Sequence, residues 1–145
     1  YLERDNIMAK LTDQDILDWK GPEEDYMNPD HLEFFRQKLL QMKADLLANA
    51  NQTSQHLQEQ EATPDPADRA SLEEEYALEL RTRDRERKLL QKIDSTLRKI
   101  DDGSYGYCTD TGEPIGLARL LARPTAGLTL EAQERRERLK KQFAD

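Results

Sequence analysis

Apolar residues recur along two long segments of this chain at alternating steps of three and four positions. Such spacing places them on one stripe of a helix and is typical of a coiled-coil seam. Between Pro29 and Gly103, only Pro64 and Pro66 would interrupt a helix. We therefore predict two helices folded back as an antiparallel hairpin, because neither narrow stripe can be buried alone. The stripes are Leu32, Phe35, Leu39, Met42 and Leu46, and then Leu90, Ile93, Leu97 and Ile100.

Capping residues predict where the helices begin and end. Asn28, directly before a proline, favours a helix start, and Asp102 followed by glycine favours a stop. Thr129 can cap a final helix that ends near Phe143. The glycine-rich residues 105–116 lie between the stop at Asp102 and the final helix, and they predict a tight turn that joins short extended segments.

These elements define three regions. Residues 1–28 form an N-terminal segment that packs on a small globular base, with an amphipathic piece around Ile16. Residues 29–102 form the hairpin, whose tip is at 63–70, and residues 103–145 complete the base with the C-terminal helix. The predicted fold class is mainly α, a long antiparallel coiled-coil hairpin that projects from a base built by both chain ends.

Composition and charge exclude several classes of protein. With 36% hydrophobic and 36% charged residues, the chain cannot build a thick core, which fits long exposed helices. The net charge of −8 argues against duplex DNA as the main partner, since phosphate binding needs clustered cations. No stretch approaches a membrane span, and one cysteine excludes a disulfide framework. We expect a cytoplasmic monomer that binds neither a membrane nor a specific DNA sequence.

Several distinctive motifs occur in order within roughly residues 22–143, at residues 64–70, 73–75, 80–89, 106–108 and 122–126. They are similar to those of the DksA/TraR family of RNA polymerase secondary-channel regulators. The resemblance implies a coiled coil inserted through the secondary channel of bacterial RNA polymerase, with its acidic tip near the active centre. It also implies action with ppGpp in the stringent response, repressing rRNA promoters and activating some biosynthetic ones, and it implies no enzymatic activity.

The resemblance assigns roles to individual residues. One departure concerns Gln133, a neutral amide where the family has a basic residue next to a phosphate, which weakens the case for ppGpp. The assigned residues are Asp65, Asp68, Arg69 and Ala70 at the tip, Arg81, Arg85 and Arg119 for polymerase contact, and Leu89, Lys92 and Arg123 for ppGpp.

A second departure lies in the zinc site that the resemblance implies. The family has two C-x-x-C pairs, and the four positions here hold Cys108, Thr111, Thr129 and Ala132. Structural zinc takes four strong ligands, and a single thiolate does not form that site. We therefore expect a degenerate zinc-finger-like region without zinc, in which packing and hydrogen bonds replace the metal. Thr111 and Thr129 are expected to bond nearby backbone groups, and Cys108 to be a small packed residue.

Two alternatives remain open at the level of sequence. A relative of the Gre factors would use Asp65 and Asp68, three residues apart, to bring a metal ion for transcript cleavage. The same two residues are equally explained as a turn former and a helix cap. A generic coiled-coil scaffold is the other alternative, and it predicts no binding to polymerase.

Overall fold

A computed structural model of the chain describes residues 11–60 and 66–144, without the side chains of 51–60, 66–68 and 144. In these residues Tyr107 and Pro114 form an isolated antiparallel bridge, and the regular elements are otherwise helical. The predicted mainly α class is confirmed. The helices are α1 (Asp13–Leu17), a 3-10 helix (Glu23–Asp25), α2 (Pro29–Gln60), α3 (Pro66–Asp102), α4 (Leu117–Ala122) and α5 (Leu130–Ala144).

The chain divides into two compact units. The hairpin unit is Leu40–Ser95, and the terminal unit combines Tyr1–Leu39 with Thr96–Asp145. Both chain ends therefore belong to one unit, and α2 and α3 each contribute residues to both units. The three-region division at residues 28 and 102 remains a prediction.

In the hairpin unit, the two helices run antiparallel. Lys43 Nζ lies 2.8 Å from Asp94 Oδ1, which pairs an early residue of this part of α2 with a late one of α3. Further along α2, Leu46 and Ala50 share a cavity with Leu90 and with residues that precede it in α3. Later residues of α2 therefore lie against earlier residues of α3, which is the arrangement of an antiparallel coiled coil.

The core of the terminal unit gathers residues that are far apart in sequence. Phe35 and Leu39 of α2, Leu120 of α4 and Ile16 of α1 are each at most 1% exposed. Tyr105 is equally buried, its ring centroid lies 5.6 Å from that of Phe35, and its hydroxyl donates to Pro124 O at 2.8 Å. Burial raises the pKa of Tyr105, so its hydroxyl stays protonated and keeps this hydrogen bond.

The helix starts support the predicted caps with one exception. Asn28 Oδ1 accepts from the His31 N–H at 2.9 Å, and Thr129 Oγ1 accepts from the Ala132 N–H at 3.2 Å. The exception is Asp68, interpreted from the sequence as a cap of the returning helix. This interpretation is wrong, because α3 already begins at Pro66 and Asp68 lies inside its first turn. A carboxylate there still benefits from the helix dipole.

His31 is buried at the start of α2. It is 2% exposed, and its ring meets that of Trp19 edge-on with 4.8 Å between centroids. Its Nδ1 atom is buried and has no hydrogen-bond partner among the described residues. Burial lowers the pKa of His31, against a smaller opposing effect of Asp30. The neutral imidazole is thus the form that the folded protein accommodates.

This burial predicts a pH-dependent stability. The unfolded chain binds the His31 proton more tightly than the folded one, so stability should fall as the pH drops below about 6.5, the ordinary histidine pKa, toward the lowered pKa of the folded state. We expect the melting temperature to decrease over this interval and the decrease to shrink in His31→Gln. The control variant His56→Gln should show the same decrease in melting temperature as the unsubstituted protein. If the melting temperature of His31→Gln depended on pH as strongly as that of the unsubstituted protein, the prediction would be contradicted.

Candidate functional site

One stripe of α3 carries four of the assigned residues. Arg81, Arg85, Leu89 and Lys92 follow one another at steps of four, four and three, which places them on one side of the helix. All four are exposed, including Leu89 at 38%. The stripe therefore presents cations and an apolar side chain together, all within the hairpin unit.

A local ion-pair network lies next to this stripe. Asp84 pairs with Arg87 at 2.5 Å and with Lys88 at 3.4 Å. Hydrogen bonds from Arg87 and then Lys88 hold the pKa of Asp84 below its usual range. Arg87 and Lys88 are thus partly neutralised by a carboxylate of their own helix, and such exposed pairs contribute little to stability.

The predicted tip lies mostly outside the described residues. Asp65 is outside them, and Asp68 is described only as a helical residue without its side chain. Arg69 and Ala70 are described, and both are exposed in the first turns of α3. The assigned roles of these four residues stay predictions.

The remaining assigned cations, Arg119 and Arg123, line one cavity of about 890 Å³ in the terminal unit. Arg123 is exposed at the end of α4. Arg119 is half-buried, donating from Nε to Leu128 O at 2.9 Å and from a terminal nitrogen to Gln133 Oε1 at 2.6 Å. The sequence indicated only that Gln133 lacks the charge of the family's basic residue. In the structure, its side-chain oxygen accepts a hydrogen bond from Arg119.

The turn at residues 106–116 keeps a tight backbone arrangement. Cys108 N donates to Glu113 O, and Gly112 N donates to Cys108 O, both at 2.8 Å. Ile115 N donates to Gly106 O, also at 2.8 Å, which closes the turn predicted from the glycines. Gly106 and Gly112 both have positive φ, a conformation that favours glycine.

The four positions of the family zinc site make local contacts of other kinds. Thr111 Oγ1 accepts from the Glu113 N–H at 3.3 Å, and Thr129 both caps α5 and donates to Cys108 Sγ at 3.9 Å. Ala132 is 2% exposed and Cys108 3% exposed. Both threonines thus bond backbone groups as the sequence suggested, and Cys108 is a packed residue.

The Cys108 thiol nevertheless has an unusual environment. Burial raises its pKa, but hydrogen bonds from the Thr111 hydroxyl and from neighbouring backbone N–H groups, first that of Thr129, outweigh burial. Together they lower the pKa of Cys108 to about 6. The turn therefore retains the N–H groups that favour a thiolate, although three of the four sulfur positions hold other residues.

A further ion pair, which the sequence did not indicate, fastens the turn to α5. Arg136 donates two hydrogen bonds to the Asp110 carboxylate, one of them from Nε at 2.7 Å. The Arg136 guanidinium lowers the pKa of Asp110. A bidentate pair of this geometry supplies a directional cross-link between turn and helix.

This chain is similar to known proteins over most of its length. Residues 31–100 match the family model "DnaK suppressor protein DksA, N-terminal domain", and residues 103–138 match "Prokaryotic dksA/traR C4-type zinc finger". A Caulobacter vibrioides protein named "RNA polymerase-binding transcription factor DksA" is 58% identical over 124 residues, covering 85% of this chain and 87% of the relative. The chain belongs to the DksA family. The family resemblance inferred from the motifs is confirmed.

Two further DksA proteins extend the comparison. The Escherichia coli K12 protein of the same name is 47% identical over 124 residues, covering 85% of this chain and 82% of its own. The solved structure of transcription factor DksA2 from Pseudomonas aeruginosa matches with a TM-score of 0.77 and 40% identity, covering 95% of this chain and 98% of that one. The fold and nearly the whole length are thus those of a DksA protein.

The residues here do not fit the zinc of the C4-type model. Only Cys108 offers a thiolate, and the hydroxyl of Thr129 is directed to a backbone N–H and to that sulfur. Among the residues that the structure describes, no three His, Cys, Asp or Glu side chains are grouped as a metal site would require. Nor does any described helix have the length and hydropathy to cross a membrane.

Chelation should therefore leave the fold intact. Metal binding cannot supply folding free energy where the thiolate partners are missing. We expect the melting temperature to be the same with and without EDTA, and metal analysis to find far less than one zinc per chain. The triple variant Thr111→Cys, Thr129→Cys and Ala132→Cys is the matched control, since it restores four sulfur positions and should become chelator-sensitive. Stoichiometric zinc whose removal unfolds the unsubstituted protein would refute the prediction.

Proposed function

We propose that this protein binds bacterial RNA polymerase through the secondary channel and modulates transcription initiation together with ppGpp. It would repress rRNA promoters and activate some biosynthetic promoters in the stringent response. The observation that carries the proposal is the 58% identity over 124 residues to a relative named RNA polymerase-binding transcription factor. An identity of this extent includes both the hairpin and the turn region.

The polymerase contact in this proposal is the α3 stripe. Arg81 and Arg85 are exposed one helical turn apart, so both can meet one acidic surface. Arg119 completes the proposed set. Two of its N–H groups are used within the protein, and a guanidinium has five. The tip residues Asp65, Asp68, Arg69 and Ala70 would act near the polymerase active centre.

The ppGpp contact is proposed for Leu89, Lys92 and Arg123. Lys92 and Arg123 are exposed cations that could meet phosphate groups, and Leu89 would cover an apolar part of the ligand. Leu89 and Lys92 belong to the hairpin unit, and Arg123 belongs to the terminal unit. Gln133 supplies no charge and is engaged with Arg119, so ppGpp dependence should be weaker than in members with a cation there.

Purified components test the proposal directly. Transcription from a ribosomal promoter should decrease when the protein is added to polymerase holoenzyme, and ppGpp should strengthen the decrease. A backtracked complex incubated with the protein should show no transcript cleavage, since we propose a regulator without enzymatic activity. Cleavage would favour the Gre-like alternative, and absence of polymerase binding would favour a scaffold.

The physiological setting belongs to the same proposal. We propose a monomer that acts in the cytoplasm without zinc, with ppGpp as a regulatory ligand and no direct sequence-specific DNA contact. A protein whose turns are held by Thr129 and by the Asp110–Arg136 pair would remain active when zinc is scarce. Transcription assays in EDTA would test this independently of the melting curves.

A further inference from the structure

A cavity of about 470 Å³ in the terminal unit is unrelated to the residues assigned above. It lies where α1 and the segment after it meet the turn at 106–116 and the start of α4. Its volume is in the range of small-molecule and side-chain sites. We call it the aromatic groove because three of the chain's aromatic rings line it, those of Trp19, Tyr26 and Tyr107.

The rings of the groove are held in place by neighbours. The Tyr26 hydroxyl donates to Gly106 O at 2.8 Å and accepts from Gly116 N at 3.0 Å. The Tyr107 ring stands edge-on to Tyr26, with 5.5 Å between centroids, and remains 37% exposed. Trp19 lies so close to Gly21 that a Cβ there would be 2.5 Å from Trp19 Cζ2. An occupant would therefore meet walls that need little ordering.

The charge of the groove is negative. Among its described lining residues, Glu23 is the one that is charged at pH 7. Glu23 is exposed on the 3-10 helix, and the neighbouring exposed residues Asp18, Glu24 and Asp25 outweigh the single exposed Lys20. A site with aromatic walls and a carboxylate at its rim matches an organic cation, which gains from the ring faces and from the opposite charge.

We propose that the aromatic groove binds an arginine side chain presented by a protein partner. A guanidinium is planar, stacks on aromatic rings and pairs with a carboxylate through two parallel hydrogen bonds, so its chemistry matches that of Trp19, Tyr107 and Glu23, which line the same cavity. The identity of the partner as RNA polymerase rests on the proposed function. The chemistry of the groove does not, and the two are tested separately.

The groove itself is tested by fluorescence, because Trp19 is the only tryptophan of the chain. The full chain is titrated with N-acetyl-arginine amide and with N-acetyl-citrulline amide, the uncharged isostere. We expect a saturable change with the arginine compound and about three- to tenfold weaker binding of the citrulline compound. Glu23→Gln should reduce this preference, and Glu24→Gln, an exposed neighbour that does not line the groove, should keep it in full.

The partner is tested by the affinity of the full chain for polymerase holoenzyme. Glu23→Gln and Tyr107→Leu, which keeps apolar area but removes the π face, should each weaken binding by about three- to tenfold, while Glu24→Gln should not. If the unsubstituted protein does not bind polymerase, the proposed function fails and the titration alone decides the groove. Equal responses to arginine and citrulline, or no response, would overturn the groove proposal. Full affinity in both folded variants would exclude polymerase as the source of the arginine.

Discussion

Asp68→Asn is expected to abolish the effect on transcription while polymerase affinity changes by about fivefold at most. In the proposed function, a tip carboxylate acts near cationic groups or metal in the polymerase active centre, where low dielectric strengthens its effect. Binding would rest instead on the α3 stripe, through Arg81 and Arg85. Two quantities are measured on this variant, its affinity for polymerase holoenzyme and its repression of a ribosomal promoter.

The structure changes the expected cost of this substitution to folding. Because α3 begins at Pro66, Asp68 lies within the first turn of the helix rather than at its cap position. Loss of its charge should cost about 0.3–1 kcal/mol through the helix dipole, which leaves the protein folded. Glu74→Gln neutralises another exposed acid of the same helix and should retain repression. Loss of affinity together with repression would make the tip a binding anchor, and survival of both would refute the mechanism.

The double variant Lys92→Ala and Arg123→Ala should need at least about 100-fold more ppGpp for half its effect. Each charge-assisted hydrogen bond to a phosphate contributes roughly 1.5–3 kcal/mol, and the two cations are proposed to face one ligand. Activity without ppGpp should be largely retained, since neither residue belongs to the proposed polymerase contact. The measurement is a ppGpp titration of promoter repression.

Two controls make this titration specific. Arg98→Ala removes another exposed cation of α3 and should leave the ppGpp response unchanged. Melting curves of the double variant exclude loss of the fold, which matters because Lys92 also interacts within the protein. An unchanged ppGpp response in the folded double variant would show that the residue assignment is wrong at this site.

Sequence periodicity and caps were sufficient for α2, α3 and α5, but they did not indicate α4. A seam repeated at steps of three and four depends only on neighbours within one helix, and caps such as Asn28 act within one turn. Pro66 and Gly103 bound α3 for the same local reason, because their backbone preferences do not depend on distant contacts. The motifs around Asp68 and Cys108 sufficed for the family.

The tertiary structure decided everything that joins residues far apart in the chain. No local pattern indicates that Arg119 donates to Gln133, that the Tyr26 hydroxyl links Gly106 and Gly116, or that His31 is buried against Trp19. Each of these contacts exists only because folding places those elements side by side, and hydrogen bonding and desolvation act over a few ångströms in space. The sequence by itself thus determined α2, α3, α5 and the family, while packing alone decided which cations are engaged and where an aromatic groove is formed.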